Sequence, residues 1–150
     1  MIRVLERLGV PRTLMLGFLA VAIFMTGDGF ELTFLSKFMV DQGFSSSQAS
    51  LLITVYGLFA AFGGWSAGVL AEMFGARKVM MFGACWWIGV HLLFLGVAIP
   101  SHIYPLILGL YAMRGIGYPL FIYSFVVLMA QYISPSRLAS ATGFFWTCFL

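Results

Sequence analysis

Residues 49–71 read ASLLITVYGLFAAFGGWSAGVLA and carry no charged side chain. A bilayer's hydrocarbon core, about 30 Å thick, is crossed by roughly 20 mostly apolar residues of helix, and this stretch supplies them. Working outward, the chain repeats the pattern. Residues 13–40 are free of charge as far as Gly27 and then carry Asp28, Glu31 and Lys37. Residues 79–99 hold His91 as their one titrating base, and residues 103–131 are interrupted only by Arg114. A fifth apolar run occupies residues 138–150, and Pro100-Ser101-His102 predicts a short turn between the third and fourth. The expected fold class is all-α integral membrane, with four complete transmembrane helices plus the start of a fifth.

Composition agrees. The 150 residues are 62% hydrophobic and 9% charged, with a mean hydropathy of +1.03. A soluble domain carries about 25% charged residues, so a water-facing globule and a disordered chain are both excluded. The 17 glycines have no collagen period. The net charge of +3 comes without a basic and aromatic face, so no nucleic-acid partner is expected. Cys85 and Cys148 sit in apolar runs with no CxxC spacing, which excludes a disulfide framework and points to no metal. His91 and His102 are isolated, and no nucleophile–base set is present. No catalytic residue, no cofactor and no enzyme activity are expected.

Residues 138–150 make only about 20 Å of helix, too little to cross, and a chain end inside hydrocarbon leaves polar groups unpaired. The sequence is therefore expected to be the N-terminal part of a longer membrane protein. Arg3, Arg7 and Arg12, then Arg77 and Lys78, then Arg137 mark alternate connections, which places the N-terminus in the cytoplasm by the positive-inside rule. Lys37, near the outer end of the first helix, can snorkel or meet Asp41 one turn later. Residues 1–12 predict a short amphipathic interfacial stretch.

The intramembrane charges carry the functional reading. A charge at the bilayer centre costs at least ~2.5–3.5 kcal/mol and persists where it pairs or faces water. Asp28 and Glu31, three residues apart, share a helix face. Counting rise per residue puts Asp28 and Arg114 each roughly 4–5 Å outward of the middle, so an Asp28–Arg114 or Glu31–Arg114 pair is allowed. One arginine cannot neutralise both acids. Burial favours the neutral form of a carboxyl group, which is what a proton carrier needs. Glycines flank both charges, in Gly27-Asp28-Gly29 and Arg114-Gly115-Ile116-Gly117-Tyr118-Pro119. Together with Pro119 they predict two discontinuous helices, a feature of inverted-repeat transporters. Tyr111, Arg114 and Tyr118 fall on one stripe, where tyrosine hydroxyls suit a hydroxylated solute. Gly64-Trp65-Ser66-Ala67-Gly68 is a GxxxG that predicts close helix packing.

The connection after the second run reads Gly68-Val69-Leu70-Ala71-Glu72-Met73-Phe74-Gly75-Ala76-Arg77-Lys78. It resembles the signature loop of the major facilitator superfamily. Gly68, Leu70, Ala71, Gly75 and Arg77 fit, Glu72 stands where the family usually has Asp, and Met73 and Ala76 replace residues that are usually basic. Arg114 with its Gly-x-Gly resembles that family's fourth-helix motif, and Ser134-Pro135-Ser136-Arg137 resembles its loop before the fifth helix. Gly27-Asp28-Gly29-Phe30-Glu31 and the Arg114–Phe121 segment look closest to its branch of bacterial ribitol and D-arabinitol permeases.

The resemblance implies twelve helices in two six-helix bundles, a central cavity and alternating access, in the bacterial inner membrane. It implies a gating lock in which Glu72 and Arg77 meet Arg137 or the missing C-terminal half. The expected function is proton-coupled symport of a small polyol, a small-molecule solute. In this reading Asp28 or Glu31 carries the proton, Arg114 biases the pKa of that acid and holds solute, Tyr118 binds solute, and Thr142 and Trp146 line the cavity. The competing readings are a small four-helix drug exporter acting as a dimer and a structural membrane subunit.

Overall fold

The computed structural model describes residues 12–149. The expected interfacial stretch at residues 1–12 lies outside the described residues, save for the backbone of Arg12. The chain forms helices α1 (Arg12–Asp41), α2 (Ser46–Phe74), α3 (Ala76–Leu93), α4 (Tyr104–Tyr132) and α5 (Pro135–Phe149). The third span continues beyond α3 through a π-helical turn, Phe94–Ala98, and one last turn, Ile99–Ser101. No strand occurs among the described residues. Four spans are long and apolar enough to cross a membrane. Large apolar side chains point outward, with Leu16 75%, Met73 68% and Ile23 66% exposed, an exterior that fits lipid rather than water.

Local chemistry sets the helix boundaries. Gly43 takes a left-handed φ of 92° after α1, and its N–H donates to the Val40 carbonyl at 2.9 Å. Ser45 then starts α2 with a capping box. Its hydroxyl accepts from the Gln48 N–H at 3.2 Å, and the Gln48 side chain accepts from the Ser45 N–H at 2.9 Å. Gly75, at φ 89° and ψ 131°, is the entire break between α2 and α3. The signature stretch is therefore two helix ends joined by one residue. His102, left-handed at φ 53°, ends the third span, and the Ser101 hydroxyl accepts from the Ile103 N–H at 3.2 Å. Pro135 opens α5 at a position where a missing N–H costs nothing.

Two expectations are corrected. The glycines of α1 and Pro119 of α4 do not interrupt their helices: both are continuous. In hydrocarbon an unpaired backbone group costs several kcal/mol, which outweighs the ~1 kcal/mol that glycine loses relative to alanine in water. The π-helical turn at Phe94–Ala98 was not anticipated in the run 79–99; Pro100, two residues beyond it, lacks the N–H that would serve the Gly96 carbonyl.

The chain divides into two compact units, residues 1–33 with 125–150 and residues 34–124. In the first, Phe18 is fully buried and meets Phe125 edge-on at 5.1 Å between ring centroids and Phe144 at 5.4 Å. Gly17 makes room, since a Cβ there would collide with the Phe125 ring. In the second unit, Leu35, Met39, Leu52, Tyr56, Phe94, Ile107 and Tyr111 belong to one buried cluster. Glycines draw its helices together. A Cβ on Gly115 would lie 2.6 Å from the Tyr56 carbonyl oxygen, and one on Gly83 would lie 2.6 Å from the Phe121 nitrogen. A Cβ on Gly117 would lie 2.9 Å from the Gly83 carbonyl oxygen. α4 therefore packs backbone to backbone on α2 through Gly115 and on α3 through Gly117.

The GxxxG expectation holds at its first glycine only: a Cβ on Gly64 would lie 3.0 Å from the Tyr123 ring of α4. The packing stripe of α2 is Gly63, Ala67 and Ala71, all buried, with a Gly63 Cβ meeting the Ile116 carbonyl oxygen at 2.8 Å. Gly68 faces nothing within 4 Å among the described residues. The stripe begins one residue before the motif, and Ala serves where the pattern asked for Gly.

Candidate functional site

The candidate residues lie in both units. Asp28 and Glu31 belong to the first. Asp28 is 2% exposed and Glu31 is half-buried. Around them, Phe30 is 62% exposed, and a Cβ added to Gly27 or Gly29 would meet nothing within 4 Å among the described residues. Thr26 and Thr33 turn their hydroxyls onto the carbonyls of Ala22 and Gly29, each at 2.8 Å, so these hydroxyls serve the helix backbone. Lys37 pairs with Asp41 at 2.8 Å, both exposed, as its spacing suggested.

Arg114 belongs to the second unit and is completely buried. Its guanidinium carbon lies 4.3 Å from the centroid of the Trp87 ring, 5.2 Å from that of Tyr111 and 5.7 Å from that of Tyr56. A cation within about 6 Å of a ring face is attracted by the ring quadrupole, by ~0.5–2 kcal/mol each. Three such faces, one each from α2, α3 and α4, offset part of the several kcal/mol that a buried charge costs. The rings are themselves packed. Tyr56 and Tyr111 stand 4.9 Å apart, Phe94 lies 5.2 Å from Tyr111, and His91 stacks on Trp87 at 4.9 Å with 17° between planes.

Tyr111 was expected on the arginine's stripe, but Tyr56 and Trp87 were not anticipated. Trp87 lies one turn after Gly83, on the face that packs against Gly117, and no signal in the sequence marks that face.

Tyr118, one turn beyond Arg114, is half-buried. It borders a groove of about 370 Å³ lined by Ala60, Ala61, Gly64, Trp65, Tyr118, Pro119 and Tyr123. That volume falls in the range of small-molecule sites, ~300–1,000 Å³. Small residues of α2 form one side, and aromatic residues from both helices supply apolar faces, two of them with phenol hydroxyls. Thr142 of α5 is half-buried and Trp146 is 46% exposed.

At the α2–α3 turn, Glu72 and Arg77 are both exposed. Each carries the unfavourable sign for its own helix end, an acid at a C-terminus and a base at an N-terminus. Helix stability therefore does not explain them. Among the described residues neither has an ion-pair partner, and Arg137 in the first turn of α5 is exposed as well. The described residues hold no group of three or more potential metal ligands.

These features define a multi-pass helical membrane protein with a buried cation, a buried acid and a solute-sized groove. The chain belongs to the Major Facilitator Superfamily, whose sequence profile matches residues 17–150. It is 45% identical over 142 residues, 95% of its length, to the D-arabinitol transporter of Klebsiella pneumoniae, and covers 33% of that protein. It is 45% identical over 94% of its length to the ribitol transporter of the same organism, covering 33% of it. It is 42% identical over 97% of its length to the alpha-ketoglutarate permease of Bacillus subtilis (strain 168), covering 34% of it. The chain thus spans about a third of the length of the curated relatives it matches. These relatives are named as transporters or permeases, not as enzymes. No solved structure matches the chain.

Proposed function

We propose that this chain is the N-terminal part of a secondary active transporter that moves a small polyol together with a proton by alternating access. The carrying observation is the completely buried Arg114, one turn from Tyr118 at the edge of the α2–α4 groove. A charge kept inside apolar helices at such expense has a functional default. In this reading Asp28 or Glu31 carries the proton, while Arg114 and Tyr118 hold the solute. The full protein comprises twelve helices in two bundles in a bacterial inner membrane, with its N-terminus in the cytoplasm. Glu72 and Arg77, exposed at a one-residue turn on the cytoplasmic side, form a gating lock with Arg137 or with the C-terminal half.

The test is uptake of labelled D-arabinitol and ribitol by the complete protein in vesicles with an imposed proton gradient. Asp28→Asn and Glu31→Gln together should lower gradient-driven uptake at least tenfold. If both leave it unchanged, neither acid carries the proton. One observation favours a second reading, a dicarboxylate permease: Arg114 is a natural carboxylate partner, and one relative is named for alpha-ketoglutarate. Competition by alpha-ketoglutarate against D-arabinitol uptake separates the two.

A further inference from the structure

We infer that Trp87 is the positioning residue of Arg114, holding the plane of the guanidinium and hence the direction of its N–H donors. The inference rests on the reading above that Arg114 serves the solute site. Of the three rings around the guanidinium, Trp87 is the nearest, at 4.3 Å against 5.2 Å and 5.7 Å. Indole is also the strongest cation–π partner among the aromatic side chains.

The indole is itself held in place. The His91 ring stacks on it at 4.9 Å with 17° between planes, and Phe94 follows His91 at 6.5 Å with 22°. The α3–α4 approach that brings it to Arg114 is set by glycine, since a Cβ on Gly117 would lie 2.9 Å from the Trp87 backbone nitrogen and from the Gly83 carbonyl oxygen. The neighbouring Trp86 donates its Nε1–H to the Met113 carbonyl at 2.8 Å, pinning the helices at the same level. A guanidinium is a planar fork whose recognition of a partner depends on its orientation. A stacked column from Phe94 through His91 to Trp87 presents a held, flat ring face to the guanidinium carbon.

Replacing Trp87 in the complete protein, by site-directed incorporation, with 5-fluoro-, difluoro- and trifluorotryptophan weakens the negative ring face stepwise and nearly preserves its shape. The KM for D-arabinitol should climb stepwise, about tenfold across the series, equivalent to about 1.4 kcal/mol, with the maximal rate within about twofold. Modification of Arg114 by phenylglyoxal, followed by peptide mass, should accelerate in the same order. Trp87→Phe should fall within the series and Trp87→Leu beyond it. A flat KM with a flat modification rate overturns the inference. If the unaltered protein takes up neither D-arabinitol nor ribitol, the transport reading fails, and the phenylglyoxal series alone decides whether Trp87 positions Arg114.

Discussion

Two stretches of this chain are written alike and built differently. Gly27-Asp28-Gly29 on α1 and Arg114-Gly115-Ile116-Gly117 on α4 each put glycines beside a buried charge. On α4 the glycines are contact points: a side chain on Gly115 would enter the space of the Tyr56 carbonyl, and one on Gly117 that of the Gly83 carbonyl. On α1 a side chain at Gly27 or Gly29 would meet nothing within 4 Å among the described residues. The α4 glycines let three backbones converge, which places Trp87, Tyr56 and Tyr111 around the arginine. The α1 glycines leave the surface next to Asp28 low and open. The same residue type serves packing in one case and access in the other, and only the neighbouring helix separates the two.

The contrast is easiest to break at the contact glycines. Gly115→Ala and Gly83→Ala should each destabilise the protein by about 1–3 kcal/mol, the usual cost of overpacking. The obstructing atoms are backbone, so no side-chain rotation can relieve them. Thermal unfolding in detergent measures this, and an unchanged midpoint for both variants would dissolve the distinction. A smaller effect of opposite sign is expected on α1. Gly27→Ala and Gly29→Ala should leave stability unchanged or raise it by up to about 1 kcal/mol, from helix propensity alone. If they lower uptake while raising the midpoint, the open surface beside Asp28 serves transport. The smallest effect belongs to Lys37→Ala, which breaks an exposed pair with Asp41. It should produce no measurable shift in the midpoint, because exposed pairs are weak and screened.

Much of the architecture was legible before any coordinates. The apolar runs at residues 49–71 and 103–131 announced spans, because the length of a crossing helix is set by the bilayer. Lys37 and Asp41 stood one turn apart, so their pairing followed from helix geometry. The candidate site was half legible. Asp28, Arg114 and Tyr118 stood out because a charge or a hydroxylated ring in an apolar run is conspicuous. Trp87 and Tyr56 did not, since an aromatic residue in a membrane helix is ordinary. The continuity of α1 and α4 was missed because glycine and proline were weighed by their cost in water.

Sequence alone determined the class of this protein, the number of its long spans and the charges that its apolar helices must accommodate, since these follow from composition, length and local hydrogen bonding. Tertiary structure decided what those charges meet. Whether a glycine is a seat or a gap, and which ring stacks on Arg114, depends on how closely two helices approach, and that distance is set jointly by side chains far apart in the chain. The Gly83–Gly117 crossing is the instance here: neither residue alone announces it, and together they bring the indole of Trp87 to the buried guanidinium.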